Sequence, residues 1–205
     1  RYIEGRTWQA SDAAEPRNLA RVGSLLARLH TMPPAPGIVA VNYVEQARHL
    51  ARTISASDPT VAVLRHRADQ AFERIERRKP RRALCHHDLH HLNVLDTGAR
   101  LWLVDWEYGG IGDPLFDVAG FLALHELGAA ETDLLLDAYG AGAPIDRGVL
   151  EEARWAFDYV QWLWYRSSLD SRPDPGGVLA DREGRLASRL LRCNNRRVDS
   201  GKGGG

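Results

Sequence analysis

Cysteine is nearly absent from this chain of 205 residues: only Cys85 and Cys193 occur, with no Cys-x-x-Cys or zinc-like Cys/His spacing around them. That excludes a disulfide framework and a structural zinc site, and it points to a reducing cytoplasm. No apolar run approaches the roughly 18 residues needed to cross a bilayer, and the N-terminal residues lack the apolar stretch of a secretory signal. Charge of one sign is missing too, because 27 Lys plus Arg balance 27 Asp plus Glu. Neither nucleic acid nor an anionic membrane is therefore expected as a partner. The chain opens at Arg1 without Met and closes on Lys202-Gly203-Gly204-Gly205. A fragment is expected, with a disordered tail over 197–205.

What is present is mostly helical. From Pro16, residues Leu19, Val22, Leu25, Leu26 and Leu29 recur with the roughly 3.6-residue period of an amphipathic helix, which Pro33 and Pro34 stop after His30. A second helix carries Tyr43, Val44, Ala47, Leu50, Ala51 and Ile54. A third follows the start signal Asp58-Pro59 and runs through Leu64, Ala68, Phe72 and Ile75. After Pro80 the texture changes to short apolar runs, Ala83–Cys85, Asn93–Leu95 and Leu101–Val104, which read as strands. The last two flank Asp96-Thr97-Gly98-Ala99-Arg100, a hairpin turn by composition. Helices resume over Pro114–Leu127, Glu131–Tyr139, Arg147–Leu169 and Val178–Arg192. The fold class is α+β, predominantly helical, with a small β insert.

The unusual polar residues cluster on that insert. His86-His87-Asp88-Leu89-His90-His91-Leu92-Asn93 contains His-x-Asp followed by Asn, and Asp105 ends the apolar strand Leu101–Val104. Phosphoryl transfer to a hydroxyl needs a carboxylate near the nucleophile, an amide oxygen on a metal, and a second carboxylate bridging metal to phosphates. Asp88, Asn93 and Asp105 supply that set in a strand, loop, strand, turn context.

The segment from Leu84 to Asp117, above all Leu103-Val104-Asp105-Trp106-Glu107-Tyr108 with Gly112-Asp113-Pro114 and Asp117, resembles the aminoglycoside phosphotransferase and choline kinase family, closest to choline kinase-like members. Leu26-Ala27-Arg28-Leu29-His30 resembles that family's first C-lobe helix. The resemblance implies a protein-kinase-like C-terminal lobe whose β insert carries the catalytic loop. It implies an ATP-dependent kinase using Mg²⁺ and acting on a small hydroxylated acceptor. In that reading Asp88 orients the hydroxyl and accepts its proton, and Asn93, Asp105 and Glu107 serve the metal. His86 orients the loop, and Asp117 ties it from below. Gln161-Trp162-Leu163-Trp164-Tyr165 resembles the aromatic stretch lining a choline pocket, so Trp106, Tyr108, Trp162, Trp164 and Tyr165 are candidate contacts for a choline-like aminoalcohol.

The same resemblance exposes a gap. No Gly-rich loop precedes a strand-borne Lys, and the only lysines, Lys79 and Lys202, sit in other contexts. Tyr2-Ile3-Glu4-Gly5-Arg6 resembles the segment leaving the hinge that holds the nucleotide, with Tyr2 and Ile3 as hinge contacts. The organisation expected is therefore a linker over 1–15 and a C-lobe over 16–196. The N-lobe is missing, which would leave the isolated chain inactive.

Other readings compete. His86, His87, His90 and His91 form a cluster of imidazoles suited to a transition metal, whereas hard Mg²⁺ prefers the oxygens of Asp and Asn. Cys85 beside His86 suggests a nucleophilic pair, but a thiol ending an apolar strand is more simply buried. An aromatic helix face over 155–165 is more often core than pocket. Antibiotic phosphorylation and a non-catalytic binding module are the alternative functions.

Overall fold

A computed structural model describes residues 3–54, 59–79, 81–140 and 145–200, apart from the side chains of residues 170 and 192–200. Tyr2, the helix-start Asp58 and the Lys202 tail lie outside the described residues. In chain order the elements are β1 (Arg6–Thr7), α1 (Pro16–Thr31), α2 (Tyr43–Thr53), α3 (Pro59–Arg77), β2 (Ala83–Cys85), β3 (Val94–Asp96), β4 (Leu101–Leu103), β5 (Gly110–Gly112), α4 (Leu115–Leu124), α5 (Ala129–Tyr139), α6 (Arg147–Ser171) and α7 (Val178–Ser200). Among the described residues no helix is long and apolar enough to cross a membrane.

The single lobe expected over 16–196 divides into two compact units, Arg1–Val41 with Pro80–Arg154, and Asn42–Lys79 with Trp155–Gly205. Helical periodicity says which face is buried, not which helix buries it, so this division was hidden.

In the first unit α4 is the central helix. Every residue from Leu115 to Ala123 is buried, and Asp117 is the only ionisable one. A helix apolar on all sides belongs in a core. Alongside it α1 buries Leu19, Val22, Leu26, Leu29 and His30. It packs on α5 at Gly23, where an added Cβ would lie 2.4 Å from the Leu135 carbonyl oxygen and 2.9 Å from Tyr139 N.

Two small antiparallel sheets complete the unit, ordered β1-β3-β4 and β2-β5. Leu84 pairs with Ile111, and Val94 with Leu103. Strands β1 and β5, two and three residues long, are too short to show a period of two. Residues 6–14, expected to be linker, are instead ordered on the hairpin. Arg6 pairs with Asp96, and a 3-10 turn follows over Ala10–Ala14.

Asp96, expected only as a turn residue, is a hub. It accepts from both terminal nitrogens of Arg21 at 2.6 and 2.7 Å, from Gly98 N at 2.8 Å and from Trp8 Nε1 at 3.3 Å. The Arg21 guanidinium holds its carboxyl far below the ordinary range.

In the second unit, Asn42 caps α2 by accepting from Val44 N at 3.0 Å. Val61, Leu64, Ala68, Phe72 and Ile75 form the buried face of α3. The aromatic part of α6 is core: Trp155 stacks on Tyr159 at 5.6 Å, and Tyr159 on Trp162 at 6.0 Å. The Arg67 guanidinium lies 4.5 Å over the Trp155 ring. Helix α7 runs to Ser200, so residues 197–200 continue a helix where a disordered tail was expected. No Gly or Pro interrupts the chain between Arg185 and Ser200, and nothing local stops the helix sooner.

Replacing Gly23 with Ala should push α5 off α1, because the facing atoms are backbone and cannot rotate away. The expected cost is about 1–3 kcal/mol, read as a lower urea midpoint with an unchanged slope.

Candidate functional site

The loop after β2 is held by one carboxylate. Asp117 accepts from His86 N (Oδ2) and His87 N (Oδ1), both at 2.8 Å, and its Oδ2 lies 3.1 Å from His30 Nε2. The residue is 1% exposed. Burial pushes the Asp117 carboxyl up, but the hydrogen bonds from His30 and the loop N–H groups, with the nearby imidazoles, outweigh it and keep the group ionised below its ordinary value.

With its own N–H and that of His86 anchored, His87 sits at φ 65°. A left-handed non-glycine residue costs about 1–3 kcal/mol and persists only where its surroundings impose it. Gly112 on β5 leaves room for the ring, since a Cβ there would lie 2.4 Å from His87 Cε1.

His86 then joins the loop to the end of β4. Its Nδ1 accepts from Asp88 N at 3.3 Å, so its Nε2–H donates to the Val104 carbonyl at 2.8 Å. The next residue, Asp105, has φ 60° and an exposed carboxylate that accepts no hydrogen bond among the described residues. Asn93 closes the loop by donating Nδ2 to the Asp88 carbonyl at 2.8 Å and to Asp88 Oδ2 at 3.1 Å. Both partners are acceptors, which fixes the amide's orientation and leaves Asn93 Oδ1 without a donor among the described residues. Asp88, Asn93 and Asp105 are thus drawn to one loop and one strand end, joined through His86 and through Val104 N, which donates to the Asn93 carbonyl at 3.0 Å.

Not every candidate joins them. Asp88, Asp105 and Glu107 do not converge within 4.8 Å, nor do His86, His87, His90 and His91. The three residues that do converge, His30, Cys85 and Asp117, are buried. Burial keeps the Cys85 thiol protonated, and Asp117 is already occupied by N–H donors, which removes both a metal and a nucleophilic reading there. Trp106 and Tyr108 are exposed beside Asp105, and Trp106 Nε1 donates to the Leu103 carbonyl at 2.9 Å. Burial and the adjacent Glu107 raise the Tyr108 phenol. Ile3 is half-buried.

In the second unit, Trp162 is corrected from substrate contact to core residue. It is 0% exposed, and its indole N–H donates to Glu183 at 2.6 Å. Trp164 and Tyr165 are half-buried, and each ring lies against an arginine, Arg172 at 5.5 Å and Arg182 at 6.0 Å. A groove of about 630 Å³ between α2 and α3 is lined by residues of this unit alone, including Arg48, Arg65, Asp69 and Tyr159. None of the sequence-selected residues lines it.

Two participants escaped the sequence reading. His30 was visible only as part of a helix, although a polar residue four positions after Leu26 on the buried stripe is a signal. Tyr139, whose hydroxyl lies 2.9 Å from His30 Nδ1, gave none.

Residues 1–155 match the family model described as the phosphotransferase enzyme family, and the chain belongs to that family. It is 44% identical over 55 residues to Protein LicA of Haemophilus influenzae, covering 27% of this chain and 21% of that protein. It is 35% identical over 128 residues to a thiamine kinase of Salmonella heidelberg, covering 61% of this chain and 43% of the other. The chain thus spans less than half the length of these curated relatives. Its fold is similar to a choline/ethanolamine kinase family protein from Mesorhizobium loti, with TM-score 0.81, 24% identity, and coverage of 94% of this chain and 67% of that one.

The site's acid sensitivity follows from its imidazoles. His125 sits in tilted contact with Phe121 at 4.5 Å and near His91 at 5.6 Å. Its Nδ1–H donates to the Phe121 carbonyl at 2.8 Å, and its Nε2 is buried with no hydrogen-bond partner among the described residues. Burial, with His91 and His90 nearby, lowers its pKa to about 4. His87 and His91 are lowered as well.

A depressed folded pKa means the unfolded chain takes up a proton that the folded chain refuses. Stability should therefore be full above the ordinary imidazole value and fall as pH drops from about 6.5 towards about 4. His125 alone contributes about 3 kcal/mol of that fall. Urea midpoints measured across this range should decline, and His125→Gln should flatten the decline.

Proposed function

We propose that this chain is the catalytic and acceptor-side lobe of an ATP-dependent kinase that phosphorylates the hydroxyl of a small choline-like acceptor. The observation that carries the reading is the Asn93 amide. It holds Asp88 with its nitrogen at 3.1 Å and keeps its oxygen unengaged. Asp88 is thereby oriented with Oδ1 left for a hydroxyl, where it positions the acceptor and takes its proton as the phosphoryl group leaves ATP.

Asn93 Oδ1 and the unpartnered Asp105 carboxylate are hard oxygens that suit Mg²⁺. Bound there, the metal would supply charge neutralisation for the transferring phosphoryl group. Asp117 keeps the loop from relaxing, and His86 holds the register between Asp88 and the strand end before Asp105. Glu107, exposed beside Asp105, would assist the metal or the acceptor.

The acceptor class rests on charge and aromatic faces. Choline and thiamine each carry a permanently cationic nitrogen and a primary hydroxyl, and the named activity of the Salmonella relative is thiamine phosphorylation. Trp106 and Tyr108, exposed next to Asp105 and Glu107, offer π faces and carboxylates to such a cation. A covering lobe with a phosphate-binding loop and Lys would complete the nucleotide site, as no such motif occurs among these 205 residues. The reading places the enzyme in the cytoplasm, where ATP is at hand and the Cys85 thiol stays reduced.

The test is transfer of radiolabelled phosphate from ATP by the full-length parent protein to choline, ethanolamine, thiamine and an aminoglycoside panel. Transfer to a cationic alcohol is expected, falling by about a hundredfold or more in Asp88→Asn. Transfer confined to aminoglycosides would replace the acceptor class. Nucleotide binding with no transfer to any acceptor would make the protein a binding module.

A further inference from the structure

We propose that Tyr139, on α5, is a positioning residue for the loop that carries Asp88: its hydroxyl donates to His30 Nδ1 and so fixes the tautomer that turns His30 Nε2–H toward Asp117. The sense of the chain follows from its far end. An ionised carboxylate only accepts, so the His30 nitrogen 3.1 Å from Asp117 Oδ2 must carry the proton. The other nitrogen of a neutral ring is then an acceptor, and the Tyr139 hydroxyl at 2.9 Å is its donor. His30 is 4% exposed, so water does not substitute freely for that hydroxyl. Burial raises the Tyr139 phenol to about 12, which keeps it a donor at any physiological pH.

The opposite tautomer would present a ring lone pair to the Asp117 carboxylate. Repulsion there would loosen the one group that holds His86 N and His87 N. The arrangement depends on close packing. Gly23 lets α5 approach α1 on the turn bearing Tyr139, whose N would lie 2.9 Å from a Cβ at position 23. The rings of His30 and Tyr139 meet edge-on at 5.6 Å. Helix α5 lies well beyond the loop in sequence, yet three hydrogen-bonded steps link it to the backbone next to Asp88. Calling this positioning rests on Asp88 being the base, but the linkage itself does not.

Tyr139→Phe keeps the ring and removes the donor, and nitrogen-15 labelling of the chain reads the consequence without any activity assay. The expected result is a displaced His30 Nδ1 resonance and about tenfold faster amide exchange at His86 and His87, with Val22 and Leu26 on α1 unchanged. Unchanged exchange at His86 and His87 would overturn the proposal. So would equal acceleration at Val22 and Leu26, which signals general loosening.

Should Tyr139→Phe not fold, Gly23→Ala keeps the hydroxyl but displaces α5. It must accelerate exchange at His86 and His87 beyond any change on α1, and a loop no more labile than α1 overturns the proposal as well. In the active parent protein Tyr139→Phe should lower kcat with KM for ATP held. An Asp88→Asn variant that keeps full transfer would remove Asp88 as the base, and with it the positioning role, while leaving the exchange result standing.

Discussion

A single buried carboxylate, Asp117, is the constraint on which the rest of the first unit depends. Placing an anion in the first turn of a helix that is buried on every side is unfavourable unless donors surround it. Here they do: two backbone N–H groups from the loop and one imidazole N–H from α1 converge on its two oxygens. The pairing works in both directions. The carboxylate tolerates burial because the loop comes to it, and the loop keeps a costly backbone conformation at His87 because the carboxylate holds the His86 and His87 N–H groups that lead into it. Glycine at 112 completes the fit by leaving the space that the His87 ring occupies.

From that anchor the geometry propagates outward through His86 and Asn93. Each has two polar ends: His86 spans from the Asp88 amide to the Val104 carbonyl, and Asn93 holds Asp88 while leaving an oxygen unengaged among the described residues. The result is a set of groups whose orientation is set before any ligand arrives, which is what phosphoryl transfer requires of a protein that contributes little covalent chemistry. The second unit contributes a stacked aromatic core from α3 and α6 and a polar groove between α2 and α3.

Much of the fold was legible where a physical period ran long enough to be read. Helix α1 was expected from Pro16 to His30 and spans Pro16–Thr31, because five apolar residues fall on one stripe and two prolines follow. The hairpin of β3 and β4 was announced by Gly98 and its polar neighbours. Strands β1 and β5 were not, since two or three residues carry no period and their pairing is decided by partners far along the chain. The cluster Asp88, Asn93 and Asp105 stood out because its residue types and order are tied to one chemistry. Trp162 was misjudged for a related reason: helical spacing shows that a residue lies on a face, and only packing shows that this face is sealed by Tyr159 and Glu183. His30 and Tyr139 meet across 109 positions, and no local pattern could pair them.

The account stands or falls on the charge state of Asp117. Carbon-13 titration of its side-chain carboxyl in the folded chain reads that state directly. The account predicts an ionised carboxylate whose titration midpoint lies below the ordinary carboxylate value while the fold persists. A midpoint above the ordinary carboxylate value would mean that burial outweighs the donors, and that a neutral acid, unable to hold the loop in this way, occupies the centre of the unit.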